Sequence, residues 1–174
     1  RNNAGVETNG GSSTHSASTT LTIDPITPTN DAPVITRPAT VTTVEDTDYT
    51  FSAAAITLAD VDAGNGLVKL TLSIPSGSIK LATGSSIFTD AGGSTPLGTP
   101  VFAGSLTVYG TLANLNAALS GLVYRPAANE NAVTQSDANR TLTITVDDMG
   151  YGLAGVASGS QQTDTQTILI GITP

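Results

Sequence analysis

The side chains in this sequence that could do chemistry are mainly carboxylates, and most of them occur in four groups. Each group falls where a run of strand-forming residues begins or ends, so folding would carry the groups to the ends of a sheet. Carboxylates held close together repel one another unless they are protonated or bridged by a cation. Calcium binds roughly six to eight oxygen atoms from carboxylates, amide side chains and backbone carbonyls, so the groups predict a calcium site. They are Asp31 within Asn30-Asp31-Ala32-Pro33, Glu45-Asp46 with Asp48, Asp60 with Asp62, and Asp147-Asp148.

One of these groups lies in a glycine-rich turn. The segment Asp60-Val61-Asp62-Ala63-Gly64-Asn65-Gly66 has the acid–x–acid–x–glycine character of a calcium loop. It lacks the acid spacing and the closing glutamate of an EF-hand, so it does not belong to that class of site. The alternative for any single acid is that it caps a turn and keeps a weakly charged surface soluble. For the four groups together we favour calcium.

Other chemistries lack the residues that they need. The sequence has no cysteine and one histidine, His15, which excludes cysteine and histidine metal sites and a Ser-His-Asp triad in the body of the domain. Three Phe and four Tyr are scattered singly, without the cluster on which a glycosidase cleft would stack sugars. A net charge of −8 disfavours nucleic acid and anionic membranes, and no apolar run is long enough to span a bilayer. We expect no enzymatic activity, no nucleic-acid partner and no membrane insertion.

Alternation of apolar and polar residues predicts an all-β fold. The clearest runs are TLTITV at 141–146 and DTQTILI at 164–170, which are typical of strands with one buried face. We expect a Greek-key sandwich. Its predicted strands are 19–24, 33–37, 40–44, 48–53, 67–74, 77–82, 105–109, 122–125, 141–146 and 165–172. Its predicted core includes Phe51, Leu70, Leu72, Ile87, Leu119, Leu122, Tyr124, Leu142, Ile144, Ile168 and Ile170.

A single segment departs from the strand pattern. Leu112, Leu115 and Leu119 recur at helical spacing, which predicts one short helix near 112–119 that crosses between two strands. Thr111 is suited to cap its beginning, and Gly121 to end it.

The end of the chain repeats its beginning. Thr20–Pro28 reads almost like Thr167–Pro174 with one residue inserted, and the two closing prolines are 174 − 28 = 146 residues apart. A strand that recurs at domain-length spacing is typical of a tandem array. We therefore divide the chain into a leader, 1–28, formed by the last strand of a preceding repeat and a proline-rich linker, and one sandwich repeat, 29–174.

The strand in the leader indicates how copies of the chain would assemble. The strand at 19–24 lacks the rest of its own unit, and an unpaired strand tends to add to a sheet edge elsewhere. We expect it to fill, in a neighbouring copy, the place that Thr167–Ile172 occupies in its own domain, as in donor-strand exchange. The alternatives are an extra strand within the same chain or a leader that makes no such contact.

These residues also resemble a known family. The segments TNDAPVI, VEDTDYTF, LADVDAGNG, GTLANLNAALSGLVYRPAANENA and LTITVDDMG are similar, in this order, to the cadherin-like repeat of giant bacterial surface adhesins. The resemblance covers 29–174 and implies an immunoglobulin-like or cadherin-like sandwich whose junctions are stiffened by calcium. It implies that the calcium carboxylates are Glu45, Asp60, Asp62, Asp147 and Asp148, with Asn30 and Asp31 serving from the linker. Of Glu45 and Asp46, only one need turn inward.

The expected function follows from the resemblance together with the array. We expect a non-enzymatic structural or adhesive repeat of an extracellular protein or filament on the bacterial cell surface. Its partners would be neighbouring repeats or copies of itself, joined head to tail, and a glycan or surface receptor. The alternative is a carbohydrate-binding β-sandwich module, because a sandwich fold does not fix function. From the acids we expect Glu45, Asp60, Asp62 and Asp147 to converge at one end of the sandwich, beside Asn30 or Asp31.

Overall fold

A computed structural model describes residues 29–131, 140–152, 156–157 and 159–174, and this part of the chain is predominantly β-structure. The predicted strand at 19–24 lies outside the described residues. The strands are β1 (Val34–Thr36), β2 (Thr40–Val44), β3 (Tyr49–Thr50), β4 (Thr57–Ala59), β5 (Val68–Ser73), β6 (Ser78–Lys80), β7 (Ser105–Gly110), β8 (Val123–Arg125), β9 (Thr141–Asp147), β10 (Tyr151–Gly152), β11 (Val156–Ala157) and β12 (Thr163–Thr173). One helix, α1 (Leu112–Leu119), lies between β7 and β8.

A five-stranded sheet in the order β2-β12-β9-β5-β7 forms the larger layer. Its long strand β12 pairs antiparallel with β9, so that Thr163 lies opposite Asp147 and Leu169 opposite Thr141. On its other side, the second half of β12 pairs parallel with β2, from Leu169 opposite Thr40 to Thr173 opposite Val44. Both ends of the sheet can therefore be located along β12.

Smaller sheets complete a β-sandwich-like architecture. One has the order β3-β8-β6, another pairs β1 with β4, and a short ribbon pairs β10 with β11. Apolar side chains of the large sheet, of β1, β4, β6 and β8, and of α1 form one buried core. The chain crosses between layers at Arg37-Pro38-Ala39, because β1 pairs with β4 whereas β2 pairs with β12.

The core follows from the alternation in the sequence. In β9, Leu142, Ile144 and Val146 are fully buried while the residues between them are half-buried, as expected for a strand with one face against the core. Every residue predicted for the core is at most 1% exposed, which confirms the prediction. The core is aliphatic, and its largest buried side chains are Tyr124 and Phe51.

Helix α1 has the predicted bounds and caps. The backbone N–H of Asn114 donates to Oγ1 of Thr111, and Gly121 adopts a φ of 95° just beyond the C-cap residue. The side chain of Asn116 accepts from the Leu58 N–H at 2.8 Å and donates to the Leu58 carbonyl at 2.9 Å. Through these two bonds the helix fixes β4, the strand that leads directly into Asp60.

Three strands were not predicted, and several predicted strands are shorter, the one at 48–53 by the most. β4, β10 and β11 have only two or three residues, and each is fixed by its partner rather than by its own pattern. The predicted strand at 48–53 is reduced to β3, although one further backbone bond joins Phe51 to Leu122. In the part of the chain that is described, no helix has the length and apolar character to cross a membrane.

Candidate functional site

Five groups from three separate segments meet where β9 ends and β12 begins. We call this set, Asn30, Asp31, Asp60, Asp62 and Asp148, the acidic cluster. Asp148 follows β9 and its side chain is fully buried. Its Oδ1 accepts from the backbone N–H groups of Gly150 and Gln162, both at 2.8 Å, and its Oδ2 accepts from Nδ2 of Asn30. Three donors thus offset part of the cost of burying this carboxylate.

Asn30 connects the segment before β1 to the beginning of β12. Besides its bond to Asp148, its Nδ2 donates to the carbonyl of Ser160 at 2.8 Å, and its own carbonyl accepts from Nε2 of Gln162. The side chain of Asn30 is therefore held against Asp148, although the two residues are 118 positions apart in sequence.

Asp60 and Asp62 form the second half of the cluster. Oδ1 of Asp60 accepts from the N–H groups of Asp62 and Ala63, at 2.7 and 2.9 Å, which makes a tight turn after β4. Asp62 is only 6% exposed, and its Oδ2 accepts from the N–H of Asp31 at 2.8 Å. The predicted linker and loop residues are thus in direct contact.

Two oxygen atoms of this cluster are buried without a hydrogen-bond partner. They are Oδ1 of Asn30 and Oδ2 of Asp60. Buried oxygens of this kind usually have a partner, and calcium takes carboxylate and amide oxygens as ligands. Among the described residues, no three acidic or histidine side chains are close enough to form a metal site by themselves. A calcium ion here would therefore need amide and carbonyl oxygens as well.

The structure does not bring every predicted ligand to the cluster. Asp147 precedes the buried Asp148, so its side chain lies on the other face of β9, where Oδ1 accepts from the Met149 N–H. Glu45 lies at the opposite end of the sheet, because its N–H donates to the carbonyl of Thr173 whereas Asp147 pairs with Thr163. These two levels are roughly 33 Å apart along β12. The expectation that Glu45 converges with Asp60 and Asp62 is thus corrected, whereas Asp147 lies at the expected end of the sheet. As calcium ligands, Asp147 stays a prediction for this end and Glu45 only for the opposite end.

The exposed and half-buried carboxylates at that opposite end each have their own partner. Oε2 of Glu45 accepts from Nδ2 of Asn131, and Oδ1 of Asp46 accepts from the Asn129 N–H, both at 3.0 Å. Asp48 forms two bonds of 2.8 Å with the guanidinium of Arg125, and these bonds hold the pKa of the Asp48 carboxyl below its ordinary value. It is the one ion pair seen between two residues that the structure describes.

An open pocket of about 250 Å³ adjoins the acidic cluster. It is lined by Asp31, Ala32, Val34, Ala59, Asp60 and Val61, so its wall is largely apolar and its rim carries two carboxylates.

The aromatic side chains that the structure describes are all buried or half-buried. At Phe102, the guanidinium carbon of Arg125 lies 3.8 Å from the ring centroid, and Nζ of Lys80 lies 4.8 Å from it.

Sequence reasoning missed Gln162 and Ser160. Gln162 bonds Asp148 through its backbone and Asn30 through its side chain, and Ser160 contributes a carbonyl. Neither residue has a chemical signature, but both lie just before β12. Pairing the start of β12 with the end of β9 would have placed them opposite Asp148.

Comparisons of the chain with known protein families, curated sequences and solved structures found no match.

Proposed function

We propose that this domain is a non-enzymatic structural or adhesive repeat of an extracellular protein on the bacterial cell surface, rigidified by calcium at the acidic cluster. In this proposal the sandwich is of the Greek-key, cadherin-like type, and it extends a surface protein or filament by repetition. Calcium would neutralise buried carboxylates that have no cationic partner in the described residues.

The observation that carries the proposal is the convergence of Asn30, Asp62 and Asp148. They come from the segment before β1, from the loop after β4 and from the end of β9. Nδ2 of Asn30 donates to Asp148, and the N–H of the adjacent Asp31 donates to Asp62. Two carboxylates, 6% and 0% exposed, are thus buried near two oxygen atoms that lack partners. Burying carboxylates is costly unless they are paired or coordinate a metal. A bound cation is the simplest compensation.

The fold supports the repeat aspect. The segment before β1 joins the cluster at one end of β12, and Pro174 follows β12 at the other end. A chain that enters and leaves at opposite ends suits units connected in series. The repeat of Thr20–Pro28 in Thr167–Pro174 adds the sequence argument for such a series.

Calcium titration followed by melting tests this function. A ligand that binds only the folded state stabilises it by about 2.7 kcal/mol at a hundredfold excess over Kd. We expect calcium to raise the melting temperature of the full chain by roughly 5–10 °C over the chelated protein. Asp60→Asn should remove most of this increase, whereas Asp48→Asn, at the opposite end, should retain it. An unchanged melting temperature in the parent chain would contradict the proposal.

Strand donation is a separate part of the proposal. In the structure, the place of Thr167–Ile172 is filled by β12 of the same chain, between β9 and, over its second half, β2. The 19–24 strand of another copy would therefore have to displace β12 or add to an outer edge. Deleting 1–28 and measuring size in solution tests this step. Equal size and stability of the truncated and full chains would exclude donation and leave the calcium site unaffected.

A further inference from the structure

Large apolar side chains are exposed at four positions among the described residues, and they are all valines. Val34 and Val61, 56% and 82% exposed, line the pocket beside the acidic cluster. Val44, 51% exposed, ends β2 at the opposite end of the sheet. Val101, 71% exposed, lies between β6 and β7. Three of the four therefore lie at the two ends of the domain.

The internal repeat brings these two ends together. Pro28 corresponds to Pro174 and Thr27 to Thr173, and Thr173 pairs with Val44. In a preceding unit of the same fold, the counterpart of Val44 would therefore lie beside Thr27. Asp31, on the rim of the pocket, is four residues further along the chain, which is at most roughly 14 Å. An exposed valine of one unit thus lies within reach of the apolar pocket of the next.

We propose that the pocket lined by Val34 and Val61 receives the Val44 end of a preceding copy of this domain. This inference rests on the proposed tandem function and adds the surface by which consecutive copies dock. The contact covers the exposed valines of both ends, and its apolar character makes it independent of the identity of any bound ion.

Charge limits the strength of this contact. Asp31 and Asp60 lie on the rim of the pocket, and Glu45 follows Val44, so carboxylates face one another across the junction. At 1 M monovalent salt, exposed charges are screened within about 3 Å, so the apolar contact can be tested without calcium. Calcium at low salt would offset the same repulsion by binding.

Disulfide trapping tests the docking, because the chain has no cysteine. The full chain would be extended after Pro174 by a second copy of residues 29–174, which contains every core residue. Val44→Cys in the first copy would be combined with Val61→Cys in the second. Such a pair can be bridged only when the Cα atoms come within roughly 7 Å. The matched control replaces Val101, instead of Val44, by cysteine in the first copy.

We expect the Val44→Cys pair to form its disulfide at least about tenfold faster than the control, both at 1 M NaCl with chelator and in calcium at low salt. Equal rates for the two pairs under both conditions would overturn the docking contact. Failure of the calcium function is detected separately, by the melting temperature of the single chain. The two results can therefore disagree: trapping without a calcium response supports docking alone, and a calcium response without trapping rejects it.

Discussion

The two ends of this domain carry similar numbers of carboxylates but organise them differently. At the acidic cluster, Asp148 and Asp62 are buried and linked to the segment before β1, and the oxygen Oδ2 of Asp60 has no partner. At the opposite end, Asp46 and Asp48 are exposed, and each has its own partner. Pairs of acids at strand ends therefore give either a connected, buried set or separate surface contacts. A buried carboxylate, Glu130, also lies at the opposite end, so linkage among three segments distant in sequence, rather than the number or burial of acids, distinguishes the candidate ion site.

The largest expected effect is a difference between the two ends in how much the loss of one carboxylate lowers the free energy of unfolding. Asp148→Ala removes the acceptor of the Gly150 and Gln162 N–H groups and leaves the buried Gly150 donor unpaired. We expect a loss of about 3 kcal/mol in the free energy of unfolding, measured by urea denaturation with chelator present. Asp46→Ala, which removes one exposed acceptor at the opposite end from a residue with a φ of 56°, should cost about 1 kcal/mol or less. Similar losses for both variants would show that the ends do not differ as described.

The next effect concerns the scaffold of the acidic cluster. Asn116→Ala removes both bonds from α1 to Leu58 and leaves the backbone groups of β4 without them. We expect a loss of about 2 kcal/mol and a weaker calcium response, because β4 leads into Asp60. Asn114→Ala is the matched control on the same helix, since its side chain makes only an exposed bond of 3.4 Å to Ser86. A calcium response unchanged by Asn116→Ala would show that the helix does not position the cluster.

The smallest effect is expected at the opposite end and depends on pH. Because Arg125 lowers the pKa of Asp48 in the folded state, the stabilisation is fully present above the ordinary pKa of aspartate. It is lost as the pH falls through the lowered value. Asp48→Asn should therefore have a slightly lower free energy of unfolding than the parent at pH 7. Because the ion pair is exposed, this loss should be smaller than the losses expected for Asp148→Ala and Asn116→Ala. The difference should vanish in acid and shrink in high salt, whereas a difference that persists in acid would rule out the ion pair as its source.

The sequence predicted features that depend on local patterns. Alternation in 141–146 gave the buried face of β9, and the spacing of Leu112, Leu115 and Leu119 gave α1 with its caps. β4 was missed because its three residues are fixed by β1 and by Asn116, which are distant in sequence.

The position of Glu45 could not be predicted for a related reason. A residue after a strand lies at one end of the sheet or at the other according to the direction of that strand. β9 runs antiparallel to β12 and β2 runs parallel to it, so Asp148 and Glu45 follow their strands at opposite ends. Strand direction is a property of the whole topology, and the local pattern around Glu45 does not contain it.

The parallel pairing of β2 with β12 has a mechanical consequence. The chain reaches β2 from the side of Asn30 and leaves β12 at Pro174. Tension between these two positions would pull β2 and β12 in opposite directions along their common axis. The backbone bonds between Thr40–Val44 and Leu169–Thr173 would then be loaded in shear and would have to break together. Resistance to stretching would therefore depend on these few β2–β12 hydrogen bonds and on the rate at which they break, rather than on the equilibrium stability of the core.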